Sequence, residues 1–191
     1  MKYPYFASSL PSVSLGSPTE LELKTFVADC WRNLEPEDAA EVEALVEGRR
    51  LESGSRFYEE WTEAEVQLRN EVAKVRASRQ AVATDERKYL HSHRGYRVWL
   101  DDAVQDALSR SSPLERELAL DRIRWGYAEE LAGEEEPFGQ AYVLAYAVKL
   151  MLVHRWQAMS VEKGQAKLDE LLEQITVTSD ELAGWLGLAQ M

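Results

Sequence analysis

The chain of 191 residues has little cysteine and no excess of basic charge. Its single cysteine, Cys30, cannot form a disulfide within the chain, and this composition is typical of a reducing, cytoplasmic compartment. Lysine and arginine number 22 against 34 acidic residues, which gives a net charge of −12 at pH 7. A nucleic-acid-binding protein needs a basic surface to neutralise phosphates, so this balance argues against that class.

Long apolar runs are also missing. The most apolar segment, residues 141–153, is shorter than the roughly 20 residues that span a bilayer, and Lys149 interrupts it. The first residues lack the apolar run of a secretory signal. We therefore expect a cytoplasmic protein without direct membrane insertion. Residues 141–156 are apolar nearly all round and are expected to form a helix at the centre of the fold.

Motifs for catalysis or cofactor binding are absent from the sequence as well. It contains no Gly-x-x-x-x-Gly-Lys-Ser/Thr loop for ATP, no Gly-x-Gly-x-x-Gly and no Glu-x-x-His. Cys30 has no histidine near it in the sequence and is interpreted as a packed core residue. We predict a protein that is not an enzyme, with no catalytic residues, no cofactor and no metal.

Two features leave alternatives open. His91 and His93 alternate as metal ligands can, although their cationic neighbours favour a solvated loop. Lys149 lies inside an apolar helix, where a bare ammonium group is costly. Either its charged end reaches the surface, or it pairs with a buried carboxylate.

Helix starts are well marked in the sequence. The Ser-Pro-x-Glu sequences at Ser17 and Ser112 are capping boxes with proline at the first helical position. Pro36, followed by two acidic residues, marks a third start, and Ser55 is the predicted cap of a fourth helix. Two later starts are expected at Ser160 and at 178–181.

The spacing of apolar residues agrees with these starts. Between residues 55 and 81 apolar side chains recur every three or four positions, which predicts one long helix. After Gly95, the side chains of Tyr96, Trp99 and Leu100 are expected on the buried face of another. No window alternates with the period of a strand. The predicted fold is all-α, with about seven helices in a single domain, residues 1–191. Should the chain divide, its sub-lobes would be residues 1–83 and 96–191.

Basic residues are concentrated between positions 69 and 97. This segment contains eight basic and three acidic residues, which gives it a local charge of +5 on an acidic chain. We interpret this basic band either as a solvated helix face or as a docking surface for a partner. Its members are Arg69, Lys74, Arg76, Arg79, Arg87, Lys88, Arg94 and Arg97.

Three stretches of the chain resemble a bacterial domain-of-unknown-function family encoded within V/A-type ATPase operons. They are the N-terminal aromatic segment ending in Leu10-Pro11, the segment 68–77, and residues 113–164, which contain Arg-Trp pairs at 124–125 and 155–156. The residues that carry the resemblance are Tyr3, Tyr5, Leu10, Arg69, Asn70, Arg76, Arg124, Trp125, Lys149, Arg155 and Trp156.

This resemblance implies a function that composition and periodicity do not. Genes of that family accompany V/A-type ATPase genes where the ordinary helical component between rotor stalk and proteolipid ring, the C/d component, is missing. The chain is thus expected to be a helical bundle that resembles a reduced, non-catalytic form of this V-type ATPase component. Its partners would be the rotor stalk subunits and the membrane proteolipid ring, and its location cytoplasmic, peripheral to the inner membrane. The alternative is a helical adaptor or regulator that binds a larger complex without being a stoichiometric subunit.

Overall fold

The computed structural model describes residues 2–79, 86–135 and 137–159. Within these ranges the chain forms seven α-helices and one short 3-10 helix, and no strand, which confirms the all-α prediction. The helices are α1 Pro4–Ser9, α2 Leu23–Asn33, α3 Pro36–Glu47, α4 Arg56–Ser78, the 3-10 helix Glu86–Tyr89, α5 Val98–Ser109, α6 Pro113–Gly133 and α7 Gln140–Ala158. The helix starts predicted at Ser160 and 178–181 lie outside the described residues.

Three of the predicted helix starts, two of them capped by serine, begin helices as expected. The Ser55 hydroxyl accepts a hydrogen bond from the backbone N–H of Tyr58, and Ser112 accepts one from that of Glu115. Pro36 occupies the first turn of α3, where its missing N–H costs nothing. These local signals succeed because a capping side chain accepts a backbone N–H that the first helical turn leaves unpaired. No tertiary contact is needed for that hydrogen bond.

The capping box at Ser17 was a wrong prediction, since α2 begins only at Leu23. Ser17 instead closes a turn by donating its backbone N–H to the carbonyl of Ser14, at 3.1 Å. The following residues are held against the end of α7, where the Leu21 carbonyl lies 2.8 Å from His154 Nε2. The Gln157 side chain also donates to the carbonyl of Thr19, at 3.0 Å. These tertiary hydrogen bonds replace the helical turn that the local sequence favours.

Helix α7 lies at the centre of the fold, as its apolar surface predicts. It packs against α3 on one side and α6 on another. The side chains of Val143, Leu144 and Leu150 are fully buried, and Leu152 nearly so. One continuous cluster of buried side chains draws members from all seven α-helices. Among the described residues no helix has the length and apolarity needed to cross a membrane.

Candidate interaction surface

A buried carboxylate joins α6 to α7 and, through Arg124, to α4. Asp121 of α6 has no exposed surface and receives hydrogen bonds from Arg124 at 2.9 Å and Arg155 at 2.6 Å. The indole N–H of Trp156 donates to the same carboxylate, at 2.9 Å. Arg124 also contacts Glu65 of α4 through two hydrogen bonds of 2.9 and 3.0 Å. Every charge in this network has an opposite charge beside it, as a buried ion requires.

The electrostatics of Glu65 follow from these contacts. Burial alone raises the pKa of a carboxyl group. The guanidinium groups of Arg124 and Arg69 outweigh that effect, so the pKa of Glu65 lies below its ordinary value. Burial lowers the pKa of Arg124, but Glu65 and Asp121 together raise it above the ordinary value. Both partners are therefore charged at neutral pH, and the network is a structural fastening of α4, α6 and α7.

The structure brings together several of the residues that carry the family resemblance. Arg124, Arg155 and Trp156 meet at Asp121, which the sequence analysis did not single out. Trp125 and Lys149 form a second contact: the lysine Nζ lies 5.1 Å from the centre of the indole ring.

The charged end of Lys149 reaches the surface, where it pairs with a carboxylate. Its ammonium group is 2.7 Å from Glu129 Oε1, and the Glu129 side chain is more than half exposed. The acid is therefore not buried, and the lysine combines parts of both alternatives. Its stem packs in α7 while its charge stays near solvent, which avoids the cost of a bare buried ammonium group.

The two N-terminal tyrosines of the resemblance have opposite environments. Tyr3 is buried, donates its hydroxyl to Asp38 and accepts the backbone N–H of Glu35 at 3.1 Å. Tyr5 is 90% exposed. Leu10 is partly buried and packs against the core cluster. Tyr3 therefore anchors the N-terminus to the start of α3, whereas the Tyr5 side chain extends into solvent.

Local acids neutralise half of the basic band. Arg69 pairs with Glu65, Lys74 with Glu71, Arg76 with Glu117 and Arg97 with Glu60. Arg97 also stacks on the ring of Tyr127, at 5.1 Å. Lys88 and Arg94 are exposed in the segment that precedes α5, and Arg79 is exposed at the end of α4. The side chain of Arg87 lies outside the part of the chain that the structure describes.

A polar stripe on α4 holds the loop that precedes α5. Gln67 donates to the Arg97 carbonyl at 2.8 Å and accepts the Arg97 N–H at 3.0 Å. Asn70 binds His91 in the same two-way manner, at 2.7 and 3.0 Å. Between them, the backbone N–H of Arg94 donates to Glu63. Three side chains spaced along one helix face therefore fix the backbone of residues 91–97.

This anchored loop presents apolar and aromatic side chains outward. Tyr96 and Val98 are 62% and 66% exposed, and Tyr89 is 61% exposed. Exposed apolar groups gathered on a fixed backbone are typical of interaction sites. We call residues 88–99 the loop surface. It combines these groups with the basic side chains of Lys88 and Arg94 and contains no acidic residue.

The sequence analysis missed this surface in two respects. It expected Tyr96 on the buried face of a helix, but α5 begins at Val98, so Tyr96 precedes the helix and its ring faces solvent. It also left out Gln67 and named Asn70 only as a residue of the family resemblance, although both side chains are fully or nearly buried. The available signal was the pair of amides on the same helix as a strong apolar stripe. A buried amide needs hydrogen-bond partners, and here a nearby loop supplies them.

The histidines of this loop have ordinary backbone contacts. His93 Nδ1 lies 2.9 Å from the Gly95 carbonyl, and the His91 backbone is bound by Asn70. Among the residues that the structure describes, no three His, Cys, Asp or Glu side chains gather as metal ligands would.

The fold and its surface define an all-helical protein with a preformed, aromatic and basic loop. Residues 99–179 match a family model described as "Protein of unknown function (DUF2764)". The match begins inside α5, includes α6 and α7, and covers less than half of the chain. No curated protein and no solved structure matches this chain.

Proposed function

We propose that this protein is a non-catalytic component of a V/A-type ATPase that couples the central rotor stalk to the membrane proteolipid ring. The family resemblance of the sequence motifs supports this assignment. The observation that carries a docking role is the loop surface, because its backbone is fixed by buried side chains while its aromatic side chains face outward.

A fixed loop suits a coupling element. Binding through a mobile segment costs ordering entropy, whereas a segment that is already held in place avoids most of that cost. Tyrosine, tryptophan and arginine are also the residues that most often dominate protein interfaces. The loop surface offers Tyr96, Trp99 and Arg94 together, on a backbone that α4 anchors.

The charge of the loop surface indicates the face it would meet. Lys88 and Arg94 are exposed, and the segment contains no acid, although the whole chain is strongly acidic. An acidic face on the rotor stalk would complement it and steer association. Anionic lipid headgroups beside the ring would also attract these charges, so binding to protein-free anionic vesicles is a separate outcome that would redirect the proposal.

The assignment is tested by affinity purification from native membranes, followed by mass spectrometry. Recovery of rotor stalk and proteolipid subunits at near-equal stoichiometry is the expected result. Recovery of other complexes, or of these subunits in amounts far below one copy each, would contradict the proposal and favour an adaptor or regulator.

A variant tests the docking face itself. Lys88→Glu combined with Arg94→Glu reverses two exposed charges, and we expect slower association with stripped complexes, most clearly at low salt. Arg32→Glu combined with Arg110→Glu, at two exposed arginines outside the loop surface, is the control with the same change in net charge. Surface substitutions seldom change stability by more than about 0.5 kcal/mol, so thermal midpoints should be preserved. If the double reversal associates like the parent at low salt, the loop surface is not the docking face.

A further inference from the structure

Two histidines lie among the exposed basic side chains of the loop surface. His91 is exposed and His93 is half-buried, and both lie between Lys88 and Arg94 in the sequence. Histidine is the side chain whose ordinary change of charge falls between pH 5 and 8. The positive charge of this part of the loop surface therefore depends on pH near neutrality.

The hydrogen bonds that hold the loop tolerate a charge on either imidazole ring. Asn70 binds His91 through the backbone N–H and carbonyl of that residue, not through its ring. His93 Nδ1 lies 2.9 Å from the Gly95 carbonyl oxygen, which can only accept, so this nitrogen carries a hydrogen. The proton that charges His93 then adds at Nε2 and leaves that bond intact. Both rings can therefore gain charge while the backbone of residues 91–97 stays fixed.

The acids that α4 and α5 bring close to the loop are mostly engaged by other groups. On α4, Glu60 pairs with Arg97, Glu63 with Arg50 and Glu71 with Lys74; on α5, Asp101 accepts hydrogen bonds from Tyr96 and Gln67, and Asp102 is exposed. The backbone N–H of Arg94 takes the second oxygen of Glu63. Among the described residues, no carboxylate pairs with the side chain of Lys88 or Arg94. Charge gained by the histidines therefore adds to cations that are available to a partner.

We propose that His91 and His93 make docking of the loop surface pH-dependent, because their protonation strengthens its attraction to an acidic protein face. The inference rests on the proposed function and names the regulation of the same surface. As the pH falls below neutrality, the exposed cations Lys88 and Arg94 are joined by two more on the same fixed backbone. Attraction between exposed charges steers association, so the association rate rises. The carboxylates of the partner keep their charge down to about pH 5, because the ordinary pKa values of Asp and Glu are near 4.

The experiment follows association of the protein with stripped complexes at pH 6 and at pH 8, both at low salt. About three-quarters of ordinary histidine side chains are protonated at pH 6 and only about 3% at pH 8. We expect the parent to associate about fivefold faster at pH 6 than at pH 8. His91→Gln combined with His93→Gln should remove most of this difference, because glutamine gains no charge. Groups of the partner that titrate in the same range affect parent and variant alike, so the comparison isolates the two histidines.

A second variant fixes the charge instead of removing it. His91→Arg combined with His93→Arg should associate at pH 8 about as fast as the parent does at pH 6. Ser12→Arg combined with Ser14→Arg is the matched control, since these exposed residues have the same spacing and lie outside the loop surface. This control should associate at pH 8 like the parent. Thermal midpoints at both pH values establish that each variant is folded.

The outcomes separate this inference from the docking proposal. A glutamine variant with the same pH dependence as the parent would overturn the inference, and so would an arginine variant no faster than the parent at pH 8. Equal acceleration by the Ser12 and Ser14 substitutions would assign the effect to net charge and overturn it too. In these three cases association persists, so the docking proposal stands. A parent protein that associates at neither pH would contradict the proposed function, and the inference with it.

Discussion

Phe138 holds the one left-handed backbone conformation of a non-glycine residue in the described part of the chain, with φ of +58°. Its Cβ makes this region costly, by about 1 kcal/mol or more for an L-residue other than Asn, Asp or Gly. Two contacts compensate: its carbonyl accepts the backbone N–H of Tyr3 at 3.0 Å, and its ring packs on Tyr142 at 5.5 Å. This position joins the N-terminus to the start of α7.

A pair of substitutions at Phe138 isolates the backbone strain. Phe138→Ala and Phe138→Gly both remove the ring, so their difference in unfolding free energy reports the backbone alone. We expect the glycine variant to be more stable than the alanine variant by about 1 kcal/mol. At Gln105, an exposed residue inside α5, the order should be reversed. Urea unfolding of the four variants measures both differences, and an alanine variant more stable than glycine at 138 would contradict the strain.

The environment of Cys30 suppresses the reactivity of its thiol. Its side chain projects from α2 into the core and is fully buried there, and burial raises the pKa of its thiol to about 12. The thiolate is the reactive form, so the folded protein should react with a disulfide reagent only as fast as it opens. The reaction releases one half of the reagent as a coloured thiolate, and its absorbance, followed with and without urea, measures the rate. Rapid labelling of the native protein would contradict the burial of this thiol.

At the scale of elements, the contact between α4 and the loop before α5 replaces regular structure by side-chain hydrogen bonding. Gln67 and Asn70 each satisfy both the N–H and the carbonyl of a single loop residue. These side chains fix the backbone of residues 91–97 by hydrogen bonds, as adjacent strands fix a strand in a sheet. Removing one partner leaves buried polar groups unpaired, which costs about 1–3 kcal/mol.

Substitution of Asn70 tests this anchoring. Asn70→Leu should speed amide hydrogen exchange at His91 and its neighbours, because the His91 N–H loses its acceptor. Exchange within α6 and α7 should change little. Arg69→Leu, an adjacent exposed position, is the matched control. Mass spectrometry of proteolytic fragments gives the comparison, and unchanged exchange at 91–97 would mean that other contacts hold the loop.

The whole molecule is fastened by the charge network of α4, α6 and α7. Because the folded pKa of Glu65 lies below its ordinary 4.5, the carboxylate contributes stability above that pH. The contribution is lost as the pH falls through the folded value. Glu65→Gln should therefore cost about 3 kcal/mol at neutral pH, since Arg124 loses one of its two buried acids. At about pH 3 the difference from the parent should shrink, because this pH is below the ordinary pKa of 4.5 and the unfolded parent then binds a proton that the folded carboxylate resists.

Glu47→Gln is the control for this prediction. Glu47 forms an exposed pair with Arg49, and such pairs contribute less than about 1 kcal/mol. Urea unfolding at both pH values, followed by circular dichroism, measures all three proteins. A Glu65→Gln variant as stable as the parent at neutral pH would remove the network from the forces that stabilise the fold.

The local sequence alone determined that the chain is helical and where three of its helices begin. Ser55, Pro36 and Ser112 mark helix starts correctly, because capping acts within four residues of chain. The apolar surface of residues 141–156 likewise placed α7 at the centre, since a helix apolar on all sides can only be buried. Both features depend on residues that are close together in the sequence, so the sequence predicts them without the tertiary structure.

Tertiary structure alone decided which polar groups meet. Asp121 is surrounded by Arg124, Arg155 and Trp156 only because α6 and α7 pack side by side. The failed cap at Ser17 and the exposure of Tyr96 have the same origin: a distant helix offers hydrogen bonds that outweigh local preference. Side-chain partners far apart in sequence leave no periodic trace, so the network and the loop surface become visible only when the chain is folded.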